Sequence, residues 1–327
     1  MSPMKPRLRS TRCARLVGLA CTLAVGGALL ACDDDGSGEE DAGGQARMYV
    51  EEAGVSFVDA NGLRFAYFEE GQGPLVLLLH GFPDTAHTWD DVRPALAAAG
   101  YHAVSPFMRG YAPSGVPEAD AFDAETLGRD VLGLIEALGE EQAIVVGHDW
   151  GASAAYAAAG IEPERVSRLV TVAIPHPAAI AVDPTFFENA EHFVYLAQPD
   201  AEMLMRADDF AHVDALYTRW SPTWNVPADE TESVKNAFTA PGSLDAALGY
   251  YRSISPEPPP FFAMPITVPT LSFAGVDDGI TPPGIFDQVA FMFAAGYRVE
   301  RVAGGHFLHR ESPDAFIEAL LAFLDEE

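Results

Sequence analysis

An aspartate with a glycine two residues to either side is the most reactive-looking feature of the chain. Residues 147–151 read Gly147-His148-Asp149-Trp150-Gly151 and close an apolar run that begins at Ala143. A side chain thrust out at the tip of a sharp strand-to-helix turn needs near-bare neighbours two before and two after it, and Gly147 and Gly151 meet that need. The residue at the tip is a carboxylate and not a hydroxyl. A serine there needs a base before it can attack, and it suits a carbonyl carbon. A carboxylate is already ionised at neutral pH and can displace a leaving group from a saturated carbon. The product is an ester between protein and substrate, which leaves a histidine free to activate water for a second step. The base must come from nine histidines.

A turn of this kind has to be held by a sheet, and the flanking sequence supplies one. Residues 55–59 and 63–68, separated by Ala60-Asn61-Gly62, read as a hairpin. Residues 75–80 (LVLLLH) are apolar throughout, as a strand buried on both faces should be. Further strands are expected at 102–105, 143–147, 166–173, 270–274 and 297–302. Helices are expected near 89–99, over 124–138 with Leu127, Val131, Leu134, Ile135 and Leu138 on one face, over 151–160, and over 313–323 with Ser312 as its N-cap. Strand–helix alternation on this scale implies an α/β fold: a mostly parallel sheet with helices on both faces. Residues 178–262 break the alternation. They place Trp, Tyr and Phe at helical spacing and read as a helical cap inserted between two core segments, 50–177 and 263–327.

The Gly-His-Asp-Trp-Gly segment, taken with His80-Gly81-Phe82-Pro83-Asp84 after the preceding buried strand, resembles the α/β-hydrolase fold superfamily. The branch it resembles is the one with an aspartate nucleophile, epoxide hydrolases and haloalkane dehalogenases, and it lies closest to the epoxide hydrolases. The resemblance covers roughly residues 50–327. It implies that Asp149 is the nucleophile and that the backbone N–H groups of Phe82 and Trp150 form the oxyanion hole. It implies His306, in Gly304-Gly305-His306-Phe307, as the base, with His309 as packing and His80, His148 and His176 as structural hydrogen-bonders. The acid falls in Gly275-Val276-Asp277-Asp278, which favours Asp278 with Asp277 as its competitor. Epoxide opening also needs donors to the departing oxygen from the cap. Gly249-Tyr250-Tyr251-Arg252 resembles the segment carrying one of them and points to Tyr251. The usual position of the other holds Phe193, so His192 or Tyr195 is left to supply it. Haloalkane dehalogenases pair the tryptophan after the nucleophile with an Asn where this chain has Phe82. Haloacetate dehalogenases use arginines where it has Trp150 and Ser153. The expected substrate is therefore a small apolar epoxide, with no metal and no cofactor, and a dehalogenase or a non-catalytic surface lipoprotein as the competing readings.

Composition removes other classes. The chain of 327 residues is 49% hydrophobic, enough for one large core. It carries 19 Lys+Arg against 48 Asp+Glu, a net charge of -29, so a nucleic-acid partner is not expected. The basic residues Lys5, Arg7, Arg9, Arg12 and Arg15 precede an apolar stretch ending Leu29-Leu30-Ala31-Cys32. Residues 1–32 therefore read as a lipoprotein signal peptide with a lipobox and Cys32 as the lipidated residue. Residues 33–49 open as an acidic, Gly-rich run and read as a disordered tether. Together they imply a bacterial cell-envelope location, with the enzyme domain anchored to a membrane outside the cytoplasm. The remaining cysteines, Cys13 and Cys21, also precede the folded part, so no disulfide framework is expected.

Overall fold

The computed structural model describes residues 47–118, 121–180, 189–255 and 257–326. The signal segment 1–32 with Cys32, and the tether as far as residue 46, lie outside the described residues. Among those that are described, no helix is long and apolar enough to cross a membrane.

Eight strands form one sheet in the order β1-β2-β4-β3-β5-β6-β7-β8. β1 (Ser56–Ala60) and β2 (Leu63–Gly71) make the expected antiparallel hairpin. Asn61 and Gly62 both take positive φ at its turn, the backbone a tight two-residue hairpin demands. β2 pairs antiparallel with β4 (His102–Pro106). From there β3 (Leu75–Leu79), β5 (Ala143–His148), β6 (Val166–Val172), β7 (Thr270–Gly275) and β8 (Tyr297–Val302) are all parallel. Every residue of β3, β5 and β7 is buried. In β3, Leu75, Leu77 and Leu79 join one core cluster and Val76 and Leu78 the other, so the strand's two-residue period feeds both faces of the sheet. Each such side chain contributes about 2 kcal/mol on burial, which is why this stretch is apolar without alternation.

The helices are α1 (Val92–Ala98), α2 (Ala124–Ala137), α3 (Trp150–Ile161), α4 (Pro177–Ile180), α5 (His192–Tyr195), α6 (Ala201–Trp220), α7 (Glu232–Thr239), α8 (Ser243–Arg252), α9 (Leu308–Glu311) and α10 (Pro313–Leu324). α4 to α8 lie between β6 and β7 in the chain, where the sequence shows aromatic residues at helical spacing. α8 is fastened to the sheet side by Tyr250 Oη, which donates to the Arg109 carbonyl at 2.9 Å, and by Ser243 Oγ, which accepts from Ala112 N–H at 3.0 Å.

Some elements depart from expectation. The helix expected near 89–99 begins only at Val92, after a 3₁₀ turn over Ala86–Trp89. Pro94 lacks an N–H and is tolerated only in a first turn, which forces the later start. Between β7 and β8, where the sequence reading assigned no element, the chain runs as 3₁₀ turns over Pro283–Met292. Pro282-Pro283-Gly284 withholds donors and helix propensity at its start. Ser312 sits at the N-cap of α10, but its side chain makes no capping bond. α6 is interrupted where Asp208, Asp209 and Phe210 take left-handed backbone. Among the described residues, contacts with the folded part begin at Arg47, inside the span read as tether. Its guanidinium pairs with Asp209 at 2.9 Å and Glu232 at 2.6 Å.

Candidate active site

Parallel strands deliver the loops after their C-termini to one edge of the sheet. The loops after β3, β5, β7 and β8 carry Phe82, Asp149, Asp278 and His306. β5 runs directly into α3 through Asp149, whose backbone is at φ 50 and ψ −119, a region L-residues avoid. The turn closes only because its flanks are bare. A Cβ on Gly147 would lie 2.2 Å from the Gly151 carbonyl oxygen, and one on Gly151 would lie 2.3 Å from that of Leu79. The first N–H groups of α3 have no intrahelical acceptor, so the helix end favours the anion placed there.

The two oxygens of Asp149 have different surroundings. Oδ1 accepts the Phe82 N–H at 2.8 Å. Oδ2 faces His306 Nε2 at 3.6 Å. Burial works to raise this carboxyl's pKa, but His306, His148 and the Phe82 N–H together hold it below the ordinary aspartate value. On the far side of the ring, His306 Nδ1 meets Asp278 Oδ2 at 3.1 Å. The other oxygen of Asp278 accepts the N–H groups of Ile280 at 2.7 Å and Thr281 at 3.0 Å, which fixes the carboxylate. Burial works to lower the His306 pKa, but the flanking carboxylates outweigh it and raise the imidazole to about 10. Asp277, the sequence competitor, is exposed and accepts from Thr223 Oγ1 at 3.3 Å, away from the imidazole.

Aromatic rings from the segment between β6 and β7 roof this arrangement. Tyr251, on α8, stands edge-on to Phe82 at 5.1 Å and to Trp150 at 5.3 Å. Its hydroxyl is buried near the Trp150 indole and makes no well-formed hydrogen bond among the described residues. Burial, then the Asp149 charge, push its pKa well above the usual phenol value. His192 is buried on α5, 5.9 Å from the Tyr251 ring. Burial lowers its pKa to about 3, so it is neutral, and its Nδ1 has no partner among the described residues. Asp149 is among the charges acting on both His192 and Tyr251, so both side chains lie within range of its carboxylate. Phe193 lies between Trp150 at 6.2 Å and Tyr251 at 5.4 Å and brings no hydroxyl. Tyr195 Oη is engaged with His212 Nε2 at 3.1 Å. Trp220 was legible only as one of several aromatics at helical spacing, yet its ring packs 5.3 Å from His306 and 4.8 Å from His192.

The remaining histidines of the motifs serve the scaffold. His80 Nε2 accepts the Met108 N–H at 2.9 Å, so its Nδ1–H donates to the Gly81 carbonyl at 2.9 Å. His176 Nδ1 accepts the Ala178 N–H at 3.1 Å. His148 Nε2–H donates to the His306 carbonyl at 3.0 Å. His309 packs against Trp89 at 4.7 Å and meets Thr88 Oγ1 at 2.7 Å. Asp84, His148 and His309 bring metal-ligand atoms within 4.8 Å of one another. Asp84, however, is committed to the Thr85 N–H and the Arg310 guanidinium, and that fixed positive charge opposes a cation beside it.

This geometry has counterparts among known proteins. The family described as alpha/beta hydrolase fold matches residues 74–313. The chain belongs to the α/β-hydrolase fold family. Within that family it is similar to epoxide hydrolase A of Mycobacterium tuberculosis (strain ATCC 25618 / H37Rv), with 32% identity over 82% of this chain and 96% of the relative. It is also similar to the AB hydrolase superfamily protein YfhM of Bacillus subtilis (strain 168), with 29% identity over 83% of this chain and 98% of the relative. In fold it resembles the crystal structure of Bacillus megaterium epoxide hydrolase in complex with an inhibitor. The TM-score there is 0.74 at 24% identity, covering 83% of this chain and 100% of the other. This α/β hydrolase is an enzyme of the epoxide-hydrolase-like kind.

Proposed function

We propose that this α/β hydrolase opens small apolar epoxides to vicinal diols through a covalent ester on Asp149. The observation that carries the reading is the asymmetric grip on the Asp149 carboxylate. Oδ1 is held by the Phe82 N–H and Oδ2 is left facing His306. Oδ2 attacks a ring carbon from the sheet side, a C–O bond forms, and the opposite C–O bond of the epoxide breaks. Backside displacement puts the departing oxygen on the far side of that carbon, where Tyr251 and His192 are the donors. Their hydrogen bonds stabilise the alkoxide, which takes a proton from Tyr251; His306, losing the neighbouring Asp149 charge, releases the proton that replaces it and is left neutral for the next step. In the second step His306, oriented by Asp278, takes a proton from water. The water adds to the ester carbonyl, whose oxygen is held by the N–H groups of Phe82 and Trp150. The tetrahedral intermediate collapses to free the diol and restore the carboxylate. The relatives' names favour an epoxide over a halide, and so does the presence of Phe82 where a halide-binding Asn would be expected. We propose also that residues 178–262 act as a cap over the site and that a lipid on Cys32 anchors the enzyme to a bacterial envelope membrane.

The test is a panel of epoxides, haloalkanes and haloacetates run with Asp149→Asn as the blank. Diol release is expected, and halide release without diol would turn the assignment to a dehalogenase. With an active epoxide, His306→Gln should accumulate the adduct on the peptide containing Asp149, read by mass mapping. Tyr251→Phe should slow adduct formation and leave its hydrolysis largely unchanged. An adduct on another peptide would overturn the mechanism.

A further inference from the structure

The peptide of His306 is held by hydrogen bonds to groups at the end of α6 and to Glu311. Three successive backbone N–H groups of its loop end on the last turn of α6 or on one glutamate. Gly305 N–H donates to Glu311 Oε1 at 2.8 Å, His306 N–H to the Trp220 carbonyl at 3.1 Å, and Phe307 N–H to Ser221 Oγ at 3.3 Å. Ser221 Oγ–H in turn donates to the same Glu311 Oε1 at 2.6 Å. The Trp220 carbonyl accepts a second bond, from Gly279 N–H at 2.9 Å, so the loop of the acid and the loop of the base share one acceptor. The fit leaves no slack. A Cβ on Gly305 would lie 2.5 Å from Ser221 Cα, and one on Gly279 would lie 2.3 Å from the Arg219 carbonyl oxygen. Below this, Tyr217 stacks on Phe307 at 4.0 Å.

We propose that Ser221 and Glu311, with the Trp220 carbonyl, are positioning residues that seat His306, and that this seat governs hydrolysis of the ester and not its formation. The inference rests on the two-step mechanism proposed above. Ester formation uses Asp149, seated by β5, α3 and the Phe82 N–H with the His306 charge beside it, and donors that hang from α5 and α8. None of these is bonded to Ser221 or Glu311. Hydrolysis needs His306 Nε2 to aim at a water over the ester carbon while Nδ1 stays on Asp278. The acid and base arrive on loops from separate strands, β7 and β8; these loops meet directly where Asp277 N–H donates to the Gly304 carbonyl at 2.9 Å, and the end of α6 ties them a second time through the Trp220 carbonyl. A misplacement on the order of 1 Å costs roughly a hundredfold in rate.

The test uses the full enzyme in single turnovers with styrene oxide as probe, following the adduct on the Asp149 peptide by quenched-flow mass analysis. Ser221→Ala and Glu311→Ala should form the ester within about twofold of the wild-type rate and hydrolyse it roughly ten- to a hundredfold more slowly. Glu311→Gln removes the charge and keeps the acceptor oxygen, so it should restore hydrolysis to within about threefold if the role is positional. The substrate-free readout is the ¹⁵N spectrum of the His306 ring, which should be sharp in wild type and Glu311→Gln and shifted or broadened in both alanine variants. Equal slowing of both steps, or unchanged ring resonances in the alanine variants, would overturn the proposal. If wild type forms no adduct, the ester mechanism falls, and the ring spectra alone still decide whether the seat exists.

Discussion

At the scale of single residues, the proposed mechanism gives the charge on Asp149 two jobs in sequence. While free, it is one of the two carboxylates that raise His306 to about 10, so the imidazole is protonated at neutral pH and helps keep Asp149 ionised. Under the proposed mechanism, esterification removes that negative charge. Burial, which favours the neutral imidazole, then faces Asp278 alone, and the pKa falls. Hydrolysis should therefore rise with pH and level off with a midpoint well below that of the His306 ring in the free enzyme, while ester formation should persist into acid below the ordinary aspartate range. Adduct decay measured against pH, beside an NMR titration of the ring, checks this, and coincident midpoints would sink it. Adjacent acids such as Asp277 and Asp278 cannot be separated by spacing, because each satisfies the same loop pattern. Direction separates them: one faces Thr223 at the surface, the other faces His306.

At the scale of elements, the elbow between β5 and α3 tolerates no added atom. Gly147→Ala would drive a Cβ into the Gly151 backbone, so it should cost about 1–3 kcal/mol or more and displace Asp149. Gly284→Ala meets open space and should stay within about 0.5 kcal/mol of wild type. Chemical denaturation of both variants makes the comparison, and equal stability would refute the steric account. The central strands were legible because burial on both faces demands unbroken apolar runs, as in residues 75–79. The 3₁₀ run before β8 and the break in α6 were not. Pro282, Pro283 and Asp208 disturb a helix, but their types do not say what replaces it. The seat of His306 was unreadable for another reason. Ser221 and Glu311 are 90 residues apart, and neither carries a local signature of its partner. In the same way, His192, Phe193 and Tyr195 could not be ranked until α5 fixed their directions.

At the scale of the whole molecule, the sequence divides into an acidic folded enzyme and a start with basic and apolar character. Membrane-extracted protein should show acyl mass on the peptide beginning at Cys32, and Cys32→Ser should remain unmodified. Intact mass analysis decides it, and unmodified wild-type protein free in the periplasm would remove the anchor. The proposed catalytic parts are spread over most of the folded chain, from Phe82 to His306, and they enter the sheet in an unequal order. β3, β5 and β6 are central neighbours, whereas β8, which delivers the base, is the last strand made and lies at the sheet's edge. Under the ester mechanism this gives biosynthesis a direction. A chain still emerging from a ribosome or a translocation pore can assemble its attacking strand before its final one. Until β8 docks, a nascent molecule has the means to capture a reactive compound and no means to let it go.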